Sequence, residues 1–504
     1  MCGAAVANSL GPSPTHRRAA AWDHDPFSAT ATGALPVSYV DVGMKAIGFA
    51  WDAWRTTHGG AGALAARQAI RLQALVTHAR RHSRFYAERY RRLSPIPPDL
   101  GALPTLPPVN KPDLMARFDD WVTDPRLTRS AVAAFVADPA NTGRDLLGEY
   151  VVFTTSGSTA EPALLVQDRQ AVAVMFGLTY ARSAGVLPPR LLLRILGRGA
   201  RQAAVFATGG HFLSTVMYER RLRARPVRRH FSRFFSVLDP LPELVGNLNE
   251  FQPVLLSTYA SALSVLTDEQ EAGRLNIHPL VIASGGELLL PAVKQRAQEA
   301  FGCTVTETYN ASEATPLSLP CRLGRLHLNT DWYLVEPIDA SGAPVPAGRR
   351  SDSLLLTNLA NYVQPLIRYE LGDSVTIDAD PCPCGSPLPT VTPEGRTDEL
   401  LTVPGRQGVS VVLLPMALAT VVEETPGVLR YQIIQTAHAG LTIRLDEDPD
   451  RDRWDVWREV RRRLVEFLAA QGAGPVAVDL AAERPQVNPR NGKLRHVFRA
   501  VLRS

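Results

Sequence analysis

Leu280-Val-Ile-Ala283 runs directly into Ser284-Gly-Gly-Glu287, and Pro291 then opens a stretch to Phe301 with helical periodicity. Four consecutive apolar residues are too few for a helix and read as a buried strand. The glycines permit a tight turn, and proline is well suited to the first position of the helix that follows. Strand, glycine turn and helix together form the repeating unit of a layered α/β protein.

Working outward, the same alternation recurs. Glu149-Tyr-Val-Val-Phe-Thr154 is strand-like, and Ala171 to Ala184 has a helical pattern. Leu191 to Leu196 and Pro253 to Ser257 read as further buried strands. The fold class predicted is α/β: a large N-terminal multi-layered domain with a mostly parallel sheet. Past residue 324 the strand-like runs Leu326 to Ile338 and Ser353 to Asn358 are separated by turn residues, which predicts an antiparallel β subdomain over about 324–394.

Gly395-Arg-Thr-Asp398 marks another change. Beyond it lie strand-like Tyr431 to Gln435 and Leu441 to Leu445, then a helix with Trp454, Trp457, Val460, Leu464, Phe467 and Leu468 on one face, then a strand at Val476 to Leu480. This is a small mobile α+β C-terminal domain, residues 398–504, behind a large domain of residues 61–397. Residues 1–60 are assigned to a flexible extension, the first 40 being rich in Ala, Gly, Pro and Ser. A leading helical element spans Ala65 to Arg92, with Leu72, Leu75, Val76, Ala79, Tyr86 and Tyr90 at helical spacing. The proline-rich segment Pro95 to Pro108 is an extended crossing.

Bulk properties narrow the class. The chain has 504 residues, with 54 basic against 49 acidic, a formal charge of +5. Five cysteines at this length make no disulfide framework, and a cytoplasmic location is expected. No run approaches a membrane span and no nucleic-acid platform is visible, so neither partner is expected. The densest basic stretch, Arg220 to Arg229, reads as a solvated helix end or as a dock for a phosphate-rich cosubstrate. Lysine occurs only at 45, 111, 294 and 493. In so arginine-rich a chain a surviving lysine marks a place where a compact ammonium is wanted, which singles out Lys493.

Six motifs carry chemistry: Thr154-Thr-Ser-Gly-Ser-Thr-Ala-Glu-Pro162, Ser284-Gly-Gly-Glu287, Tyr309-Asn-Ala-Ser-Glu313, Arg368-Tyr-Glu-Leu-Gly-Asp373, Gly395-Arg-Thr-Asp398 and Asn491-Gly-Lys-Leu-Arg495. Hydroxyls and backbone N–H groups of the first can close on phosphate oxygens. Singly, each is also a plain turn, cap or surface ion pair. In this order and separation they resemble the adenylate-forming superfamily of acyl-CoA synthetases, amino-acid adenylation domains and luciferases. Phe85-Tyr-Ala-Glu-Arg89, Leu106-Pro-Pro-Val-Asn-Lys-Pro-Asp-Leu114 and Asn358 to Asp373 are most similar to its phenylacetate-CoA ligase branch, which includes capsule-biosynthesis and coenzyme F390 synthetase-like proteins.

That resemblance implies roles. Thr155, Ser156, Gly157, Ser158 and Thr159 would hold the ATP phosphates. Gly285, Gly286 and Glu287 would line the adenine pocket, with Tyr309 stacking on the base, Asn310 reading its amino edge and Ser312 beside them. Glu313 would hold Mg²⁺, a cation that favours oxygen ligands. Asp373 would accept from the ribose hydroxyls, with Arg396 near the α-phosphate. Lys493 would bridge the substrate carboxylate and the α-phosphate, and Asp398 would be the hinge. Ala160 departs from the glycine usual there, at a cost of roughly 1 kcal/mol if the position needs positive φ.

The activity implied is ATP-dependent conversion of a carboxylic acid to an acyl-adenylate. The acceptor is coenzyme A, an amine or a carrier-protein thiol. Phe176, Tyr180, His211, Phe212 and Tyr259 are the candidate acid pocket and favour an aryl or arylacetic acid. Two other readings stand beside this: an amide synthetase or carrier loader, and a catalytically silent nucleotide-binding scaffold. Retention of Glu313, Asp373, Arg396 and Lys493 speaks against silence. Cys321, His327, Cys382 and Cys384 offer three sulfurs and an imidazole, a set suited to structural Zn²⁺. The leading helices also offer a surface for a homodimer.

Overall fold

A computed structural model describes residues 39–94, 99–155, 163–183, 187–208, 210–394, 401–406, 408–486 and 495–500. Strands Gln202–Phe206, Ser232–Ser236, Leu255–Thr258, Val281–Gly285 and Thr304–Thr308 form a five-stranded sheet, every pair parallel. Parallel neighbours need long crossovers, and here the crossovers carry the helices Leu213–Ala224, Leu241–Phe251, Ala260–Glu271 and Pro291–Phe301. In space the second strand lies outside the first, and the third, fourth and fifth follow on its other side. The order therefore reverses at the first strand, and such a reversal leaves a crevice beyond the carboxyl ends of the strands. Val205, Leu256, Ile282 and Val305 point into the core, while Ala204, Phe206, Ser257 and Ala283 on the other face line an open cleft.

One expected strand is a helix. Leu191 to Leu196 lies within the helix Pro189–Gly197. The pair Pro188-Pro189 pre-sets its first turn, and Leu191 and Ile195, four residues apart, face inward on Val254, Leu280 and Val281. A dense leucine run hid that spacing, and the strand expected there is the next segment, Gln202–Phe206.

The β region is built of two antiparallel sheets. Tyr333–Ile338, Ser353–Asn358 and Leu366–Glu370 form the first, and Ser318–Pro320, Leu326–Leu328, Thr390–Pro393 and Val375–Ile377 the second. The expected run Leu326 to Ile338 is thus split. Asn329 and Asp331 at the break are buried against Arg182, whose Nη1 and Nη2 donate to them at 2.6 and 2.8 Å.

Residues 39–58, placed in the flexible extension by composition, form the helix Tyr39–His58 instead. Val42, Ala46 and Ala53 are buried on it, and it packs along the helix Arg169–Ser183. Gly177 permits that approach, because a Cβ there would lie 2.9 Å from the Ala46 carbonyl oxygen. The leading element is the helix Gly60–His82, and Ser83 caps the short helix Arg84–Arg89 that follows it.

After Leu401 the strands Val428–Ala437 and Gly440–Glu447 form a hairpin, flanked in parallel by Val497–Arg499 and Ala477–Leu480. The helix Arg453–Ala470 covers it with Trp457, Val460, Leu464, Phe467 and Leu468. Trp454, expected on that face, is 61% exposed, because the face is covered only from Val456 onward.

Candidate active site

A cleft of about 2200 Å³ opens along the carboxyl ends of the parallel strands. Its walls bring together Thr155, Gly285, Gly286, Glu287, Tyr309, Asn310, Ser312, Glu313 and Asp373, all singled out from the sequence. They come from four segments, the first and last more than two hundred residues apart in sequence.

The glycine turn sits where side chains do not fit. A Cβ at Gly285 would lie 2.9 Å from Thr308 Oγ1, and Gly286 has φ +83° with its missing Cβ 3.0 Å from the Tyr259 ring. Glu287 anchors the turn: its carboxylate accepts from the Ser261 backbone N–H at 2.7 Å and from Ser261 Oγ at 2.9 Å. Ser261 lies in the first turn of the helix Ala260–Glu271, where the helix dipole favours an anion.

Tyr309 and Asp373, distant in sequence, meet here. The Tyr309 hydroxyl donates to Asp373 Oδ2 at 3.0 Å, and the Tyr309 backbone is held by Ser318. Asn310 donates from Nδ2 to Thr308 Oγ1 at 2.9 Å, while its Oδ1 is buried without a partner. Ser284 Oγ is likewise buried and unpartnered in the cleft wall. A buried acceptor left unmade is costly, so Asn310 Oδ1 suits a ligand that brings an N–H.

Glu313 is the central acid. Tyr369 OH donates to its Oε1 at 3.3 Å, and Asn358 Nδ2 holds its backbone carbonyl at 2.8 Å. Burial, and then the charge of Asp373, raise it above the ordinary carboxylate value, against donation from its own backbone N–H, from Tyr369 and the charge of Lys111. A cation brought to this place would relieve that penalty. The carboxylate oxygens of Glu313 suit a hard cation such as Mg²⁺.

The motif Arg368 to Asp373 explains how the crossing is delivered. Arg368 is buried with φ +52°, pairs with Glu336 at 3.0 Å and donates to the Pro104 carbonyl at 2.9 Å and to that of Leu106. Val109 bridges to Tyr369. The crossing then turns into the helix Lys111–Ala116, capped by Asn110, and Lys111 lines the cleft. Lys111 and Tyr369 are site residues that motif reading passed over. The scarcity of lysine is the signal for the first, and the second lies inside the motif that ends at Asp373.

Ser156, Gly157, Ser158, Thr159 and Ala160 lie outside the described residues, as do Arg396, Asp398 and Lys493. Their flanks are placed. Thr155 and Ala163 close the tip of the hairpin Tyr150–Thr154 and Leu164–Gln167, with Ala163 N–H donating to Thr155 Oγ1 at 3.1 Å. The amide of Gln432 donates to the carbonyls of Gln486 and Arg495 at 3.1 and 3.0 Å, beside the cleft-lining Tyr431. Of the aromatic candidates, Phe176, Tyr180, Phe212 and Tyr259 line the cleft. His211 does not. Its buried ring packs by Phe135 at 5.9 Å, because the backbone of Thr154 takes the His211 carbonyl and turns the next residue, Phe212, to the cleft.

Away from the cleft, the ligand atoms of Cys321, His327, Cys382 and Cys384 all lie within 4.8 Å of one another. Cys321 follows the strand Ser318–Pro320, His327 is central in Leu326–Leu328, and the other two lie in the loop before Thr390–Pro393. Cys321 and Cys382 sulfurs are 4.0 Å apart, near the roughly 3.8 Å edge of a tetrahedral zinc thiolate site. His327 Nδ1 donates to the Leu388 carbonyl at 2.7 Å, which leaves Nε2 as an acceptor facing Cys384 Sγ at 3.3 Å, where a metal would replace the thiol proton. Backbone N–H groups of Leu323 and Ser386 point at the Cys321 and Cys384 sulfurs. Burial and the neighbouring sulfurs push Cys384 up to about 11; burial also raises Cys382, but donors from Cys384 and Cys321 outweigh it and bring that thiol below its usual value. Thiols this crowded ionise together only around a cation.

No protein-family model matches the chain. Protein CapK of Staphylococcus aureus is 27% identical over 139 residues, a match that spans 27% of this chain and 29% of CapK. A solved structure of 2-hydroxyisobutyryl-CoA ligase, in complex with 2-HIB-AMP and CoA in the thioesterification state, is 20% identical, with 89% of this chain and 92% of that one covered at a TM-score of 0.53. The same ligase in the postadenylation state gives a TM-score of 0.49 at 20% identity, over 88% and 91%. By its architecture the chain shares the fold of this CoA ligase.

Proposed function

We propose that the protein uses ATP and Mg²⁺ to activate a carboxylic acid as its acyl-adenylate and passes the acyl group to the thiol of coenzyme A. One observation carries this reading: the Tyr309–Asp373 pair, the unpartnered Asn310 Oδ1 and the half-buried Glu313 converge at the carboxyl edge of a parallel sheet. Asn310 Oδ1 accepts from the amino group of adenine, Asp373 from ribose hydroxyls, and Glu313 holds Mg²⁺. On this reading the hydroxyls of Ser156, Ser158 and Thr159 bind phosphate oxygens and the guanidinium of Arg396 binds the α-phosphate.

A substrate carboxylate oxygen attacks the α-phosphorus, the bond to the β-phosphate oxygen breaks and pyrophosphate leaves. Two anions approach in that step, and the ammonium of Lys493 offsets the charge that accumulates. In the second step a thiolate sulfur attacks the acyl carbon and AMP departs with the bonding electrons. Rotation about Asp398 between the steps exchanges the faces that the small domain presents. Aromatic lining from Phe176, Phe206, Phe212, Phe234 and Tyr259 favours an aryl or arylacetic acid. Zinc in the Cys321, His327, Cys382 and Cys384 cluster is structural, pinning the Pro381–Pro389 loop to its sheet.

The test is pyrophosphate release over a panel of carboxylic acids, with the acyl-AMP product identified by mass. Coenzyme A, amines and a carrier-protein thiol are then added in turn. Turnover with an amine or a carrier alone replaces coenzyme A as acceptor, and no release with any acid sinks the ligase reading.

A further inference from the structure

The amino edge of the parallel sheet, which the cleft reaches at Gln202 and Ser232, has a chemistry that acid activation leaves unused. Between Arg169 and Leu238 the sequence holds thirteen arginines and a single acidic residue, Glu219. Two of those arginines, Arg182 and Arg220, are buried in ion pairs with Asp331 and Asp145. Most of the others are spread over one rim. The helix Pro189–Gly197 lies across the amino ends of the third and fourth strands, seated there by Leu191 and Ile195. The turn Pro226–His230 precedes the edge strand Ser232–Ser236, and the Gln202 N–H donates to the Phe231 carbonyl at 2.8 Å, which joins the two segments.

The outer surface of that rim is apolar as well as basic. Leu192, Leu193, Leu196, Val227 and Phe231 are 46, 70, 59, 63 and 37% exposed. Arg190 and Arg194 are exposed on the same helix and Arg198 at its end, with Arg225, Arg229 and His230 exposed at the turn. A short helix that turns three leucines to solvent serves no purpose in the core, and clustered exposed apolar side chains mark a contact surface.

We propose that this rim docks the protein on an anionic phospholipid surface, with Leu192, Leu193 and Leu196 at the headgroup boundary and the surrounding guanidinium groups on lipid phosphates. The combination decides the occupant. Arginines alone suit any polyanion, but a nucleic-acid backbone gives exposed leucines nothing to contact, whereas a bilayer interface takes both. Long guanidinium stems beside inserted apolar residues keep their charge in the headgroup layer. No helix among the described residues is long and apolar enough to cross a membrane, so the contact is peripheral.

The experiment is co-sedimentation of the full chain with vesicles of phosphatidylcholine alone and with one-third phosphatidylglycerol, at low and high salt. Binding is expected only to the anionic vesicles, and to weaken with salt as the charges are screened. Leu193→Glu with Leu196→Glu, and separately Arg190→Glu with Arg194→Glu, should each weaken it by at least about tenfold. Far-ultraviolet circular dichroism and the melting temperature verify that the variants fold. Equal binding to both vesicle types, no binding to either, or variants that bind as the parent chain overturn the proposal. So does a dimer in sedimentation velocity that the leucine variants dissolve without any vesicle binding, or binding to duplex DNA or RNA in place of vesicles.

Discussion

The same five strands end in opposite chemistry. Their carboxyl rim carries glycines, hydroxyls and carboxylates: Gly285, Gly286, Ser284, Glu287, Glu313 and, packed against it, Asp373. Their amino rim carries arginines and exposed leucines. The apolar strand interiors fix the sheet but are indifferent to what the loops at either end contain, so the two rims are free to serve different partners. The carboxyl rim opens on a crevice where the strand order reverses, and its carboxylates call for hydroxyl or N–H donors or a cation. The amino rim exposes leucines among arginines, the chemistry proposed above to meet a lipid surface.

The largest expected effect separates the rims cleanly. Lys493→Ala should lower pyrophosphate release by about 10²-fold or more while vesicle binding is unchanged, the first followed by a coupled phosphate assay and the second by co-sedimentation. Loss of both together would mean that the variant unfolds or that the rims are not independent.

Asp373→Ala removes the carboxylate that Tyr309 now holds and that ribose hydroxyls would share. A charged hydrogen bond is worth about 1.5–3 kcal/mol, so KM for ATP should rise roughly 10- to 100-fold with kcat less affected. An unchanged KM would move the nucleotide away from this rim.

The Cys321, His327, Cys382 and Cys384 cluster touches neither rim and serves as a control. One equivalent of zinc is expected by atomic absorption, and Cys384→Ser should weaken its retention against a chelator by about 10-fold or more and lower the melting temperature. Absence of metal from the purified parent chain would leave the cluster as reduced thiols.

The smallest effect probes the turn itself. Gly286→Ala forces a Cβ into a left-handed turn 3.0 Å from the Tyr259 ring. A cost of about 1–2 kcal/mol in stability is expected by chemical denaturation. Tyr259→Phe should be milder, since its hydroxyl makes only a 3.5 Å contact with the Ala207 N–H.

Much of the fold was legible from local pattern. The helix Pro291–Phe301 and the strand Ser353–Asn358 match their expected bounds, since both have proline, glycine or polar punctuation at their ends and a clear period between. The leucine run before Arg198 misled because its composition satisfies strand and helix alike, and only Leu191 and Ile195 record which side is buried. The helix Tyr39–His58 was hidden by the low-complexity sequence before it. Of the site, the motifs named its residue types, but not that Tyr309 would meet Asp373, that Tyr369 would reach Glu313, or that Lys111 would enter through a crossing held by Arg368.

The sequence alone determined the alternation of strand and helix, the glycine turn after Ala283 and the set of groups suited to a nucleotide, because these rest on spacing and on side-chain chemistry within a few residues. Tertiary structure decided which distant groups become neighbours, which aromatic residues face the cleft while His211 does not, and how the arginines and leucines gather on one rim. Such placements follow from strand order and packing, and no local stretch of chain records either.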